Sequence, residues 1–333
     1  MNFSLDQVSF VLGVDAGNTK TIALVADRAG RIRGAGRGGC GDIYRSPAAA
    51  FAEIERAVGD ALATAGLRAD QLEVGAFSMA GADWPEDFAL IHEHLRERGL
   101  GRQQIVVNDA LGALRAGAPN GPAVAVVCGT GIATGARAGD GQTWHSSFWQ
   151  EVNGAEYLGR EVLRVVVRAE LGIDPPTTLT QRTLDVCGLP SVEALVYQQS
   201  ARNASGLHYV KHLARVLLDE ALAGDSLARA LVIQNGQALG DYALAAARKV
   251  GILTEPFALV FAGGVLRHPC PLLADTITAC VQAHAPGAIP MQSRFEPAVG
   301  AVFLAFDHLN WPVDSAVHRQ IASTVPSTEL FAT

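Results

Sequence analysis

The chain has 333 residues, 49% of them hydrophobic and only 18% charged, and a formal net charge of -7. That length exceeds what one core usually supports, so two domains are expected, and heavy use of Ala and Gly suits closely packed α/β structure rather than disorder. A net-negative chain without a Lys/Arg cluster makes nucleic acid and anionic membranes poor partners. Five widely spaced cysteines without a CxxC pair suggest neither a disulfide framework nor a zinc site, and no apolar run approaches the ~20 residues that span a bilayer.

The opening MNFSLDQVSF lacks a basic region followed by an apolar run, so an unprocessed, reduced cytoplasmic protein is expected. The apolar stretch from Val11 predicts a buried strand that delivers Asp15 to a turn, with Lys20 on its far side. A second strand over 21–26 and a third over 31–35 follow, separated by the turn residues Asp27-Arg28-Ala29-Gly30. The glycine-rich stretch 36–47 reads as a loop. Residues 47–65 have helical apolar spacing in Phe51, Ile54, Val58 and Leu62, ended by Gly66.

A strand over 74–79, a helix over 86–98, a strand over 104–107 and a helix over 110–117 complete a βββαβαβ order. The pattern then recurs: AVAVVCGTGIATGARAGDGQTWHSS holds a strand, a Gly/Thr turn, a second strand, a Gly-rich turn and a third. Helices are expected over 157–171, 192–200, 209–223 and 226–249, the first three as an insertion. A buried strand over 257–261, a helix to residue 284, a strand over 289–292 and a helix over 297–309 follow. The stretch beyond Trp311 carries no clear signal. Two halves with one plan imply a cleft between them, because ligands favour domain interfaces and the carboxyl ends of parallel strands.

Asp15-Ala16-Gly17-Asn18-Thr19-Lys20 puts a carboxylate, glycine-freed N–H groups, a hydroxyl and an ammonium into one tight hairpin. That set can hold Mg²⁺ through water and touch the end of a polyphosphate; an ordinary polar hairpin is the plain alternative. It is not a Walker loop. Gly129-Thr130-Gly131 offers a second flexible turn whose N–H groups can wrap phosphate oxygens. GTGIATG lacks the spacing and the following helix of a dinucleotide fingerprint. Gly263-Gly264, between an apolar strand and a helix, lets a planar base approach the backbone, although a lone GG is usually a tight turn. Asp109, after the strand IVVN, can take a proton from a hydroxyl in line with a γ-phosphate, or cap the following helix, or both. No HExxH pair or GxSxG elbow supports a metalloprotease or a hydrolase triad.

Together these segments resemble the sugar-kinase, heat-shock-ATPase and actin superfamily. Within it they are similar to the N-acetylglucosamine kinase-like, BadF-type group that includes the activator ATPases of 2-hydroxyacyl-CoA dehydratase and benzoyl-CoA reductase. The resemblance covers roughly residues 9–306: VDAGNTKT looks like the first phosphate motif and VVNDALGAL like the segment with the catalytic acid. VVCGTGIATGAR looks like the second phosphate motif and VFAGGVL like the adenosine motif; MAGADWPED and EPAVGAVFLA also match.

The resemblance implies an α/β fold of two actin-like (ribonuclease H-like) domains, 1–118 and 119–310, with an interdomain nucleotide cleft and a tail over 311–333. It implies a kinase using ATP and Mg²⁺ on a sugar or amino sugar, N-acetylglucosamine or a relative. Asp109 would be the general base and Asp15 would orient the metal through water. Gly17, Asn18, Thr19, Lys20, Gly129, Thr130, Gly131, Gly263 and Gly264 would bind the nucleotide. On the acceptor side the usual Gly-Asp-Glu-Gly-Ser turn is replaced by Glu151-Val152-Asn153-Gly154-Ala155. The loop that usually offers an asparagine reads Gly39-Cys40-Gly41-Asp42-Ile43-Tyr44, so Asp42, Asn108, Asp109, Glu151 and Asn153 are the acceptor candidates. An ATPase activator switch and a sugar-binding protein without transfer chemistry are the alternatives. Against the former, Cys128 and Cys187 do not form the paired interface cysteines an iron–sulfur cluster needs. A homodimer is left open.

Overall fold

The computed structural model describes residues 9–151, 154–200 and 209–331. The chain divides into two compact units, one taking in the described residues up to Gly121 together with those from Ser293 onward, the other spanning Pro122–Gln292.

The first unit opens with β1 (Phe10–Ala16), β2 (Thr21–Asp27) and β3 (Ile32–Gly38) and continues with α1 (Pro47–Ala65), β4 (Leu72–Met79), α2 (Pro85–Arg98), β5 (Gln103–Asn108) and α3 (Asp109–Gly117). The second holds β6 (Ala123–Cys128), β7 (Ile132–Arg137) and β8 (Thr143–His145), then α4 (Ala155–Glu170), α5 (Leu179–Cys187), α6 (Val192–Ser200), α7 (Leu213–Ala223) and α8 (Ser226–Lys249). It ends with β9 (Phe257–Ala262), α9 (Leu272–Gln282) and β10 (Ala288–Gln292). The chain then returns to the first unit as α10 (Pro297–His308), α11 (Ser315–Thr324) and α12 (Thr328–Phe331).

The recurrence expected from the sequence is present strand for strand. The first sheet runs β3-β2-β1-β4-β5 and the second β8-β7-β6-β9-β10. In each, the first three strands are antiparallel and the fourth and fifth join parallel.

Side-chain alternation along β1 sorts its residues between two cores. Leu12 and Val14 pack with Ile54, Val58 and Phe77 under α1 and α2, whereas Val11 packs with Ile22, Leu24, Phe303 and Phe306 on the opposite face. Gly13 lies on that second face, where an added Cβ would stand 2.5 Å from the Val302 nitrogen of α10. One level deeper, a Cβ on Gly300 would meet the Gly112 carbonyl of α3 at 1.9 Å. Glycines therefore set how closely α10 approaches β1 and α3. This packing puts residues 293–310 with the first unit, whereas the sequence grouped them with the second half.

Three further differences have local causes. The third strand continues through Gly38 instead of stopping at residue 35. Its Gly34, Gly36 and Gly38 all face α1, and added Cβ atoms would fall 2.0–2.2 Å from the carbonyls of Ala61, Ala57 and Glu53. These glycines mark a helix lying directly on a strand. Within the helical insertion, α5 is an additional helix, and the helix expected from residue 209 begins at Leu213 after a 3-10 turn. The stretch beyond Trp311 holds α11, whose Asp314 cap accepts from the Ala316 and Val317 N–H groups and whose Val317 and Ile321 join the core.

Candidate active site

In the first unit three loops converge at the carboxyl ends of the parallel strands. The β1–β2 hairpin closes tightly, the Gly17 N–H donating to the Lys20 carbonyl at 2.9 Å, so that Gly17, Asn18, Thr19 and Lys20 are its tip. The glycine loop after β3 is laid against this hairpin. Gly41 N–H donates to the Gly17 carbonyl at 2.9 Å, Thr21 Oγ1 donates to the Gly39 carbonyl at 3.0 Å, and a Cβ on Gly41 would strike Thr21 Oγ1 at 2.5 Å. The loop after β4 joins them through the Ala80 N–H, which donates to the Ala16 carbonyl at 2.8 Å.

Alternation places Asp15 on the same face as Val11 and Gly13, the face covered by α3 and α10. Burial pushes its carboxyl up to about 7, the nearby Asp109 and Glu296 carboxylates add to the rise, and the Lys20 ammonium opposes it. Asp109 is likewise pushed up to about 7, first by burial and then by Asp83 and Asp42, against a hydrogen bond to the Ala110 N–H. Asn108 takes the capping role that the sequence left open for Asp109. Its Oδ1 accepts from the Ala110 N–H at 3.1 Å while its Nδ2 donates to Asp83 Oδ1 at 2.9 Å. Asp109 is the first residue of α3, and the Asp83 and Asp42 carboxylates are its acidic neighbours.

Asp42 is 8% exposed, its Oδ1 accepts the Tyr44 N–H at 3.0 Å, and Arg45 stands 4.0 Å from its other oxygen. The loop of Gly81, φ +80°, closes over it: a Cβ on that glycine would lie 2.8 Å from Asp42 Oδ1. Asp42 and Asp109 therefore belong to one acidic group, to which the structure adds Asp83, hydrogen-bonded by Asn108, and, beside Asp15, Glu296. Asp83 lies in the quoted MAGADWPED segment and Glu296 opens EPAVGAVFLA, so both were within reach of the motifs, but their proximity is set by the fold.

The second unit builds its turn from backbone. Gly129 N–H donates to the Gly131 carbonyl at 2.9 Å, and the first N–H groups of α4 donate back to the turn, Ala155 to the Gly129 carbonyl at 2.8 Å and Glu156 to the Thr130 carbonyl at 3.4 Å. Gly154 lies beneath, where a Cβ would sit 2.5 Å from the Thr130 carbonyl. Gly263 has φ +92° and no room for a Cβ, the Cys128 carbonyl being 2.3 Å away, whereas Gly129 and Gly264 both face open space. Of the second unit's acceptor candidates, the exposed Glu151 donates its backbone N–H to the Tyr242 hydroxyl at 3.0 Å, and Asn153 lies outside the described residues.

The acids fit a magnesium ion that keeps water and phosphate ligands. Among the described residues no three His, Cys, Asp or Glu side chains converge to hold a metal by themselves. Asp15, whose carboxyl is pushed up first by burial and then by the carboxylates of Asp109 and Glu296, is a place where a cation would be stabilised, and Mg²⁺ is commonly held by one or two carboxylates plus phosphate oxygens.

The family described as BadF/BadG/BcrA/BcrD ATPase matches residues 12–305. An N-acetyl-D-glucosamine kinase of Dictyostelium discoideum is 24% identical over 319 residues, covering 89% of this chain and 97% of the relative. An N-acetylmuramic acid/N-acetylglucosamine kinase of Clostridium acetobutylicum is 24% identical over 310 residues, covering 90% and 98%. Among solved structures, a candidate N-acetylglucosamine kinase of Chromobacterium violaceum superposes with a TM-score of 0.67 at 20% identity, covering 90% of this chain and 99% of that one. A ROK family glucokinase of Streptomyces griseus in complex with glucose and AMPPNP has a TM-score of 0.56 at 18% identity, covering 89% and 99%. At these identities the solved structures establish the fold alone: two α/β units, each built on a five-stranded mixed sheet.

Proposed function

Because the chain belongs to the BadF/BadG/BcrA/BcrD ATPase family, we propose that it is an ATP-dependent kinase transferring the γ-phosphoryl group to a hydroxyl of N-acetylglucosamine or a related amino sugar. The observation that carries this reading is Asp109: a carboxylate with its pKa pushed to about 7, grouped with Asp42, Asp83 and Asn108 in the unit that also presents Asp15 and Lys20. A base whose pKa lies near the working pH is well matched to removing a hydroxyl proton. The names of the two curated relatives support the acceptor class.

In this reading Asp42 and Asn108 orient the sugar and Asp109 accepts the proton of the attacking hydroxyl. The oxygen bonds to the γ-phosphorus as the bond to the β–γ bridging oxygen breaks, and ADP leaves. Lys20 and Thr19 face the γ-phosphate, Gly17 and Asn18 offer backbone N–H groups, and Gly129, Thr130 and Gly131 wrap the remaining phosphates. Gly263 and Gly264 pass beneath the adenosine. Asp15 would hold a magnesium ion bound with the nucleotide, and the ion would supply neutralising charge to the phosphates. Glu151 and Asn153 are the second unit's candidates for contact with the acceptor. Such a kinase works in the cytoplasm, where ATP is available and the chain's cysteines stay reduced; among the described residues no helix is long and apolar enough to cross a membrane.

The test is a panel of sugars and amino sugars with ATP and Mg²⁺, scored for ADP and phosphosugar together. Equal yields of the two identify a kinase. ADP without phosphosugar favours an ATPase switch, and neither product favours a binding protein or an acceptor outside the panel. The buried position of Cys128 inside β6, its thiol pushed up to about 12, already speaks against a cluster-bearing activator.

A further inference from the structure

The cations at the carboxyl end of the first sheet are engaged by the chain itself. Lys20 Nζ donates to the Phe331 carbonyl, and Arg37 Nη1 donates to the carbonyls of Glu329 at 3.2 Å and Leu330 at 3.0 Å. All three acceptors belong to α12. The closing carbonyls of a helix lack intrahelical partners and carry its negative dipole end, so two cations are their natural complement. Register explains how both reach. Arg37 pairs with Ile22 on the strand beside it, two residues beyond Lys20.

The approach to this contact is also built. Thr324 Oγ1, at the end of α11, accepts the Ile32 N–H at 2.9 Å, and Val325, Leu330 and Phe331 pack on the apolar cluster under β2 and α10. Yet α12 spans four residues, far too short to persist as a helix on its own. Among the described residues, its own backbone adds to these contacts the Leu330 N–H donated to the Ser327 carbonyl at 3.2 Å.

We propose that α12 is a displaceable strap that competes with the terminal phosphate of a nucleoside triphosphate for Lys20 and Arg37. The proposal rests on the reading of Lys20 as the γ-phosphate ligand. A carbonyl is a neutral acceptor, whereas the γ-phosphate is anionic and adds the attraction of opposite full charges to the hydrogen bonds of the two cations, so the triphosphate wins them. A diphosphate ends short of them and leaves the strap in place. The strap therefore reports whether the third phosphate is bound, and redocking after transfer refills the position the γ-phosphate has left.

Hydrogen exchange on the full chain tests this directly. A non-hydrolysable ATP analogue should raise exchange over residues 325–331, and ADP should not. Protection of that segment by the analogue, or unchanged exchange at saturation, overturns the competition. Two variants give an independent readout: a chain ending at Ser327, and the double substitution Leu330→Asp/Phe331→Asp. If the strap is docked about nine-tenths of the time, each should lower the KM for ATP by up to about 10-fold with kcat unchanged. A raised KM or a lost kcat would make the strap part of the working site and sink the proposal. Adding Lys20→Ala to the chain ending at Ser327 separates the two readings. If truncation still lowers the KM for ATP without Lys20, competition stands through Arg37 and the assignment of Lys20 fails; if the advantage disappears with Lys20, both stand.

Discussion

The two sheets share a strand order and a strand polarity but differ in what their first hairpins carry. The β1–β2 hairpin is flanked by Asp15 and Lys20 and stands near Asp109 and Glu296, all ionisable. The β6–β7 turn carries Gly129, Thr130 and Gly131 and holds its shape by backbone hydrogen bonds to α4. One scaffold is thus used twice for different chemistry. Charge in the first unit suits proton and phosphoryl movement; neutral N–H groups in the second suit holding a polyanion without changing its protonation. If this division is right, substitutions in the first unit should alter the rate and its pH dependence, and those in the second should alter stability or nucleotide affinity.

The largest expected effect is that of Asp109→Asn. Loss of a general base costs about 10²- to 10⁴-fold in kcat, whereas ATP affinity measured by calorimetry should be retained. The same change should stabilise the fold. Asp109 ionises near 3.8 when unfolded and near 7 when folded, so between those values the folded state holds the extra proton and stability falls as pH rises. The asparagine variant loses that slope. Its melting temperature should exceed the parent's at pH 8 and approach it at pH 4. Retained turnover would remove Asp109 as the base.

Next in size is Gly263→Ala, which asks whether the second unit's glycines are structural. A left-handed φ of +92° and a Cβ 2.3 Å from the Cys128 carbonyl together should cost about 2–4 kcal/mol, read by urea denaturation. A loss below about 0.5 kcal/mol would mean that the strand end relaxes freely.

How much of this division could be read from the sequence depended on whether the information was local. The β1–β2 hairpin, the recurrence of its pattern, and Asp15 and Asp109 as residues just past strand ends follow from short-range periodicity and turn chemistry, whereas Asp42 is a candidate only through the family resemblance. The β3 glycines did not, because Gly34, Gly36 and Gly38 report contact with an α1 backbone many residues onward, and glycine richness in isolation looks like a loop. For the same reason α10 was grouped with the wrong half: its partner is chosen by Gly13, Gly112 and Gly300, which meet only once the chain has folded. Asp83 escaped notice as a site residue because its importance lies in Asn108 and Asp109, to which no sequence spacing ties it.

A smaller effect should follow from Asp83→Asn. Asp83 is the strongest charged neighbour raising Asp109, so removing its charge should lower that pKa and move the rising limb of kcat/KM from near pH 7 toward lower pH. Asparagine can still accept from Asn108 Nδ2, so the loop geometry should survive. A limb that does not move would mean that another group controls the profile.

The smallest expected effect on stability, and the one that most sharpens the contrast between the units, is Gly264→Ala. Unlike its neighbour at 263, this glycine faces open space and is not in the left-handed region, so folding places no steric demand on it and the change should stay within about 0.5 kcal/mol. A glycine with no structural reason to be one is explained if something outside the chain lies against it. If the adenosine lies there, the added methyl group should raise the KM for ATP while leaving the pH profile and kcat where they were. A KM that does not change would move the base elsewhere and leave the second unit with only its phosphate-binding turn.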